Sequence, residues 1–240
     1  MKPLKDYSFI KGFNYGLERI DKYNHEIEVR NMGYAKRLTL NSCRLFMQME
    51  DWKKDPKKFL DCLKDFMTVA WEHGISTTPI LLMPYFTDDQ TPYWLSEDHS
   101  CSPIPGCFYE ENYPIGEAYV ADIIQAVGDH PGLLFWDVMN EPSWHGFMLS
   151  VDDPIEKQRR LDMVWKFVRH FIGVVRKKDP VNALGVGHTF IEDTEYSQTG
   201  ELVDIIIFHD YLETRSRVEA TCRRAIELSE KYGKPVKIFG

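Results

Sequence analysis

Positive charge is in short supply: 29 Lys and Arg stand against 37 Asp and Glu, a formal net charge of -8. That argues against a general nucleic-acid binder, which wants a basic stripe along the phosphates. No apolar run approaches the ~18 to 20 residues that a bilayer span takes, so no membrane partner is expected. The opening Met1-Lys2-Pro3-Leu4-Lys5-Asp6 has no apolar stretch of the kind a secretory leader carries. The five cysteines (43, 62, 101, 107 and 222) leave at least one unpaired, which reads as a reducing compartment. The expectation is a cytoplasmic chain, with secretion open if a leader has been trimmed. Cys101 and Cys107 sit close in a Pro-rich loop and read as bystander thiols. Internal repeats, low-complexity tracts and linkers are also missing.

The absence of nucleotide and metal motifs narrows the field further. Phe13-Asn14-Tyr15-Gly16-Leu17-Glu18 stands where a doubly wound fold would carry its phosphate loop, and it has neither GxGxxG nor Walker A character. Gly185-Val186-Gly187 lacks the third glycine. There is no HExxH and no His-x-His, so neither metal nor organic cofactor is expected.

What is present is a 240-residue chain, 43% hydrophobic and 28% charged, with a globular balance. An α/β barrel takes ~250 residues. Strand-like segments are Phe9–Asn14, Asn41–Met47, Ile75–Met83, Leu133–Met139, Ala183–Val186, Leu202–Phe208 and Pro235–Phe239. Between them fall helical patterns. Asp55-Pro56 opens one with a cap and a first-turn proline; Phe59, Leu63, Phe66 and Ala70 follow at helical spacing, and Gly74 closes it. Others cover Glu26–Leu40, Pro114–Asp129, Pro154–Lys178 and Arg215–Tyr232. A long aromatic loop runs from Pro84 to Tyr113. Unbroken apolar strands alternating with helices imply a parallel sheet covered on both faces.

Asn14, Arg44, Asn140, Glu141, His209 and Tyr211 all fall at the carboxyl ends of strand segments, where barrel enzymes assemble their sites. The expected fold is therefore α/β, a (β/α)8 TIM barrel, present as one domain over 1–240 with strands 1 to 7 and without strand 8.

Trp136-Asp137-Val138-Met139-Asn140-Glu141-Pro142-Ser143-Trp144 is the most specific segment. A buried strand ends in Asn-Glu-Pro, and Pro142 forces the chain out of the sheet. Glu141 is thereby offered at the barrel mouth, and Trp144 is expected to wall it with apolar surface, the setting that lets a carboxyl keep a proton. Arg44, inside an apolar strand, calls for a carboxylate partner. His209 and Tyr211, two apart, would face one side of an extended chain. Trp52, Tyr85, Phe86, Trp94 and Trp144 could pack on the apolar faces of sugar rings, although loop packing alone would also explain each.

Arg44, Asn140-Glu141-Pro142, His209-x-Tyr211 and the strand entry Gly233-Lys234-Pro235-Val236, in that order, resemble the clan A glycoside hydrolases, most closely family 5. The resemblance spans essentially the whole chain. It implies retaining hydrolysis of a β-linked glucan or mannan, oligosaccharide or polysaccharide. Glu141 would be the acid/base, Asn140 would bind the 2-hydroxyl, Arg44 and Tyr211 would hold the nucleophile, and His209 would line the pocket.

One departure is clear. The family's nucleophile is a Glu ending strand 7, whereas Val236-Lys237-Ile238-Phe239-Gly240 holds none, and the nearest upstream is Glu230. The expectation is a piece of a longer enzyme, inactive alone and prone to self-association through unpaired barrel edges. The alternative is a non-catalytic carbohydrate-binding or scaffold protein on a degenerate barrel.

Overall fold

A computed structural model of the chain describes residues 3–83, 108–144, 148, 151–212 and 214–238. Seven parallel strands lie in strict chain order: β1 (Gly12–Gly16), β2 (Ser42–Phe46), β3 (Ser76–Leu82), β4 (Trp136–Asn140), β5 (Leu184–His188), β6 (Ile205–Phe208) and β7 (Val236–Ile238). Helices cross between them: α1 (His25–Arg37), α2 (Met49–Lys54), α3 (Pro56–Glu72), α4 (Tyr113–Val127), α5 (Pro154–Lys178), α6 (Asp193–Tyr196) and α7 (Arg215–Tyr232). The sheet curls into a partial barrel, an incomplete (β/α)8 TIM barrel.

Local chemistry sets the elements. Asp55, Asp153 and Thr214 each accept a backbone N–H three residues on, at the starts of α3, α5 and α7, and Gly233 closes α7 in the left-handed region at φ 64°. Strands β2 to β6 are buried almost throughout, as their unbroken apolar sequence implied, whereas β1 and β7 are the half-covered sheet edges. Phe59, Leu63, Phe66 and Ala70 of α3 and Val164, Val168, Phe171 and Val175 of α5 are buried in one core with Leu45, Val138 and Val186 from the strands.

Some boundaries differ from the sequence reading. β1 starts at Gly12 because Phe9 stays exposed and Ile10 turns back to bond Tyr7. Leu133 and Leu134 approach β4 as a bridge to Thr77 before regular pairing begins. Val203 closes a turn on Thr199, which delays β6 to Ile205. The short helices α2 and α6 were not anticipated. Most of the Pro84–Tyr113 loop, with Tyr85, Phe86, Tyr93, Trp94, Cys101 and Cys107, lies outside the described residues. Its end is a single turn of tight helix, Glu110–Asn112, with Phe108 buried edge-on against Phe167.

Candidate active site

At the carboxyl ends of the strands, Arg44 on β2 reaches across to Asp137 on β4. Its Nε donates to Asp137 Oδ2 at 2.8 Å, and Nη2 lies 2.7 Å from the same oxygen. Asp137 Oδ1 accepts the Gly187 amide of β5 at 2.9 Å. Both charged groups are buried, so their pairing is obligatory. Arg44 Nη2 also donates to Asn140 Oδ1 at 2.9 Å. The bond fixes the Asn140 amide with oxygen toward Arg44, and Nδ2 becomes the end free to donate elsewhere.

Glu141 follows directly. Its backbone adopts φ 43°, a left-handed conformation that side chains with a Cβ rarely hold. Its N–H is tied to the Gly187 carbonyl at 2.7 Å, and its own carbonyl accepts from Trp144 N at 3.0 Å. The turn lifts the Glu141 side chain out of the β4 plane, where it is 21% exposed and 3.2 Å, through Oε1, from His209 Nδ1 on the β6 side. Burial holds the His209 ring neutral below its usual range, Glu141 pulls the other way, and Arg44 reinforces the depression. A neutral ring has two tautomers. With the proton on Nδ1 it donates to an ionised Glu141; with the proton on Nε2 it accepts from a protonated one.

Gly187 is the point where these groups converge. A Cβ there would lie 2.8 Å from Arg44 Nη2, 2.8 Å from His209 Cε1 and 2.9 Å from Asp137 Oδ2. Only hydrogen lets three side chains from three strands meet over the β5 backbone.

Arg44, Asn140, Glu141 and His209 are thus brought together. Tyr211 is not packed with them: it lies three residues past the end of β6 at Phe208 and is 75% exposed. Asp210 turns the opposite way from His209, to Arg217 and Thr221 of α7. Trp144 stands at the mouth, 51% exposed, edge-to-face with Phe190 at 6.1 Å. Trp52 is a packing residue, its indole N–H bonded to Asp122 and its ring against Tyr119. Asn14 lies in the edge strand, in register with Arg44.

Asp137 and Gly187 were not assigned roles from the sequence. Arg44's need for a carboxylate, set beside an aspartate in an otherwise apolar strand, was the available signal for the first. Among the described residues no three His, Cys, Asp or Glu side chains cluster as a metal site, and no helix is long and apolar enough to cross a membrane. A groove of about 640 Å³ at the opposite end of the sheet, between Gly128–Leu133 and Lys178–Asn182, is braced by Asp179 and Asn182. It faces the amino ends of the strands, where barrels keep stabilising residues.

No protein-family model and no curated protein matches the chain by sequence. Solved structures do match the fold. A β-glucuronidase of Bacteroides uniformis superposes over 98% of this chain and 24% of its own, with TM-score 0.62 and 12% identity. An exo-β-1,4-mannosidase from Opitutaceae bacterium strain TAV5 covers 95% of this chain and 50% of its own, at TM-score 0.61 and 15% identity. The GH5_18 protein of Streptomyces cattleya, solved with GlcNAc, covers 95% and 60%, at TM-score 0.64 and 15% identity. The chain spans a quarter to three-fifths of these proteins. At these identities the likeness is one of fold, the incomplete (β/α)8 barrel.

Proposed function

We propose that the chain is part of a retaining β-glycosidase of the family 5 type, acting on β-linked gluco- or manno-oligosaccharides or polysaccharides. One observation carries the reading: a strained strand-end Glu141 bonded to a buried, neutral His209, beside an Asn140 amide oriented by Arg44.

Glu141 gives its proton to the glycosidic oxygen and later recovers one from the attacking water. The two tautomers of His209 accommodate both charge states without moving the ring. Asn140, its oxygen held by Arg44, offers Nδ2–H to the 2-hydroxyl of the sugar at the cleaved bond. Double displacement takes a second carboxylate ~5 to 5.5 Å from the first. Asp137 has both oxygens engaged by Arg44 and Gly187. We therefore assign the nucleophile to a Glu following β7, past residue 240, and to Tyr211, exposed just past β6, the role of its hydrogen-bond donor.

The test compares the 240-residue chain with the gene product extended through the next strand. The chain is expected to bind cellotetraose or mannotetraose without turnover, and the extended protein to hydrolyse one of them. Glu141→Gln in the extended protein should cut turnover at least ~100-fold on poor leaving groups and far less on dinitrophenyl glycosides. An equal rate in both would remove Glu141 from the acid/base role. Binding without hydrolysis by the extended protein would favour a sugar-binding barrel that has lost its catalysis.

A further inference from the structure

The turn that presents Glu141 has to be held on both sides. Its φ of 43° is a conformation that a residue with a Cβ keeps only where its surroundings fix it. On the near side the Glu141 N–H is tied to the Gly187 carbonyl of β5 at 2.7 Å. The far side begins at Pro142, which has no N–H to give. Ser143 supplies the tie: its hydroxyl donates to Asp193 Oδ2 at 2.7 Å, with Thr189 Oγ1 3.1 Å away.

Asp193 is a firm anchor. It is buried at the start of α6, and the same Oδ2 accepts the Phe190 amide at 3.3 Å. Its carbonyl accepts from Ser197 N at 2.9 Å, and the Ser197 carbonyl accepts from Arg169 of α5 at 2.7 Å. The Ser197 hydroxyl meets Thr199, which bonds the buried His188 of β5. An aspartate at a helix start ordinarily caps the amides of that helix. This one reaches back 50 residues, to the connection after β4.

We propose that Asp193 is a positioning residue for Glu141. By fixing Ser143 it closes the far side of the strained turn, and the Glu141 carboxyl is thereby held 3.2 Å from His209 Nδ1. Released from Ser143, the turn relaxes toward negative φ and the side chain swings off the ring. The effect on turnover rests on the reading of Glu141 as acid/base; the effect on the Glu141–His209 contact stands apart from it. Both Asp193 side-chain bonds fall on one oxygen, so an Asn amide can replace the carboxylate and an Ala cannot.

The experiment follows the ring nitrogens of His209 by NMR in the 240-residue chain at neutral pH. Glu141→Ala defines the Nδ1 resonance of a ring without that carboxylate. Asp193→Ala and Ser143→Ala are expected to move the resonance most of the way to that value, and Asp193→Asn to restore it. Ser143→Ala removes a single oxygen, and it decides the matter should Asp193→Ala fail to fold. The His170 ring, bonded to Glu117 at 2.7 Å between α4 and α5, should stay in place throughout. An unmoved His209 in the folded variants, or a His170 that moves with it, overturns the proposal. In the protein extended through the next strand, Asp193→Ala should lower kcat at least ~tenfold with KM little changed, and Asp193→Asn should regain most of it. An unchanged kcat in Asp193→Ala also overturns the proposal. An extended protein that hydrolyses nothing, with the expected shifts at His209, overturns the glycosidase reading and leaves Asp193 as the residue that positions Glu141.

Discussion

Arg44 and Asp137, 93 residues apart in the chain, form a buried ion pair that joins β2 to β4 across the intervening β3. The pair is a spoke inside the barrel rather than a rung of the ladder, and Asn140 takes its orientation from it. Removing one partner strands the other charge in low dielectric. Asp137→Ala is expected to cost about 3 to 5 kcal/mol in urea unfolding. Asp137→Asn, which keeps one acceptor oxygen for Gly187 or Arg44, should cost less. Replacing both residues together by apolar ones of similar volume should recover much of the loss, while sugar binding stays lost. A double replacement as unstable as Asp137→Ala would show that the pair itself holds the sheet together.

Two glycines separate packing from backbone freedom. At Gly187 a methyl group would intrude on Arg44, His209 and Asp137, whereas at Gly33 in α1 it would meet nothing within 4 Å. Gly187→Ala should therefore destabilise by about 1 to 3 kcal/mol and abolish sugar binding. Gly33→Ala should stabilise by roughly 0.5 to 1 kcal/mol, since helices favour alanine. Paired thermal and urea melts decide both signs.

The contrast shows what a linear reading can reach. Helix α5 begins at Pro154 and ends at Lys178, as cap, proline and stop signals imply. The parallel sheet was legible because apolar strands without alternation need cover on both faces. The Asn140-Glu141 turn was legible because Pro142 cannot stay in a strand. Asp137 read as one more residue of a buried run, since only the folded barrel brings Arg44 over it. Gly187 read as part of an incomplete phosphate loop, and its role depends on three strands converging. Ser143 and Asp193 carry no local motif; their hydrogen bond exists only once the β4 and β5 connections lie side by side. Tyr211 lies past the last paired residue of β6 and is exposed, whereas His209 is buried.

Acid should weaken the fold through His188. This ring is fully buried, with Nε2 2.8 Å from Thr199 Oγ1, and burial together with repulsion from His209 pushes its pKa down to about 3. Above its ordinary value of 6.5 the ring is neutral both folded and unfolded, and the full stability is present. As pH falls below that value the unfolded chain takes up a proton that the folded chain refuses, so stability declines toward pH 3. One such group contributes a slope of up to about 1.4 kcal/mol per pH unit. His209, also depressed, acts in the same direction. His188→Gln should flatten the decline between pH 6 and 4 by close to one proton's worth, measured as urea unfolding free energy against pH. A slope identical to that of the unaltered chain would mean that His188 protonates without unfolding.

Glu141 carries the backbone cost of its own presentation. At φ 43° a Cβ crowds the following carbonyl, at roughly 1 to 2 kcal/mol relative to ordinary conformations. Glu141→Ala and Glu141→Gly both remove the carboxylate and its His209 bond, so the difference between them isolates the backbone. In an ordinary strand the glycine variant would be the weaker. Here it should be the more stable by about 1 kcal/mol, because glycine occupies this region freely. Urea midpoints of the two variants give the answer directly. Alanine at least as stable as glycine would show that the left-handed turn is relaxed rather than imposed by the Gly187 carbonyl and Pro142. The inverted order would mark a site where the fold gives up stability to hold a carboxyl group clear of the sheet.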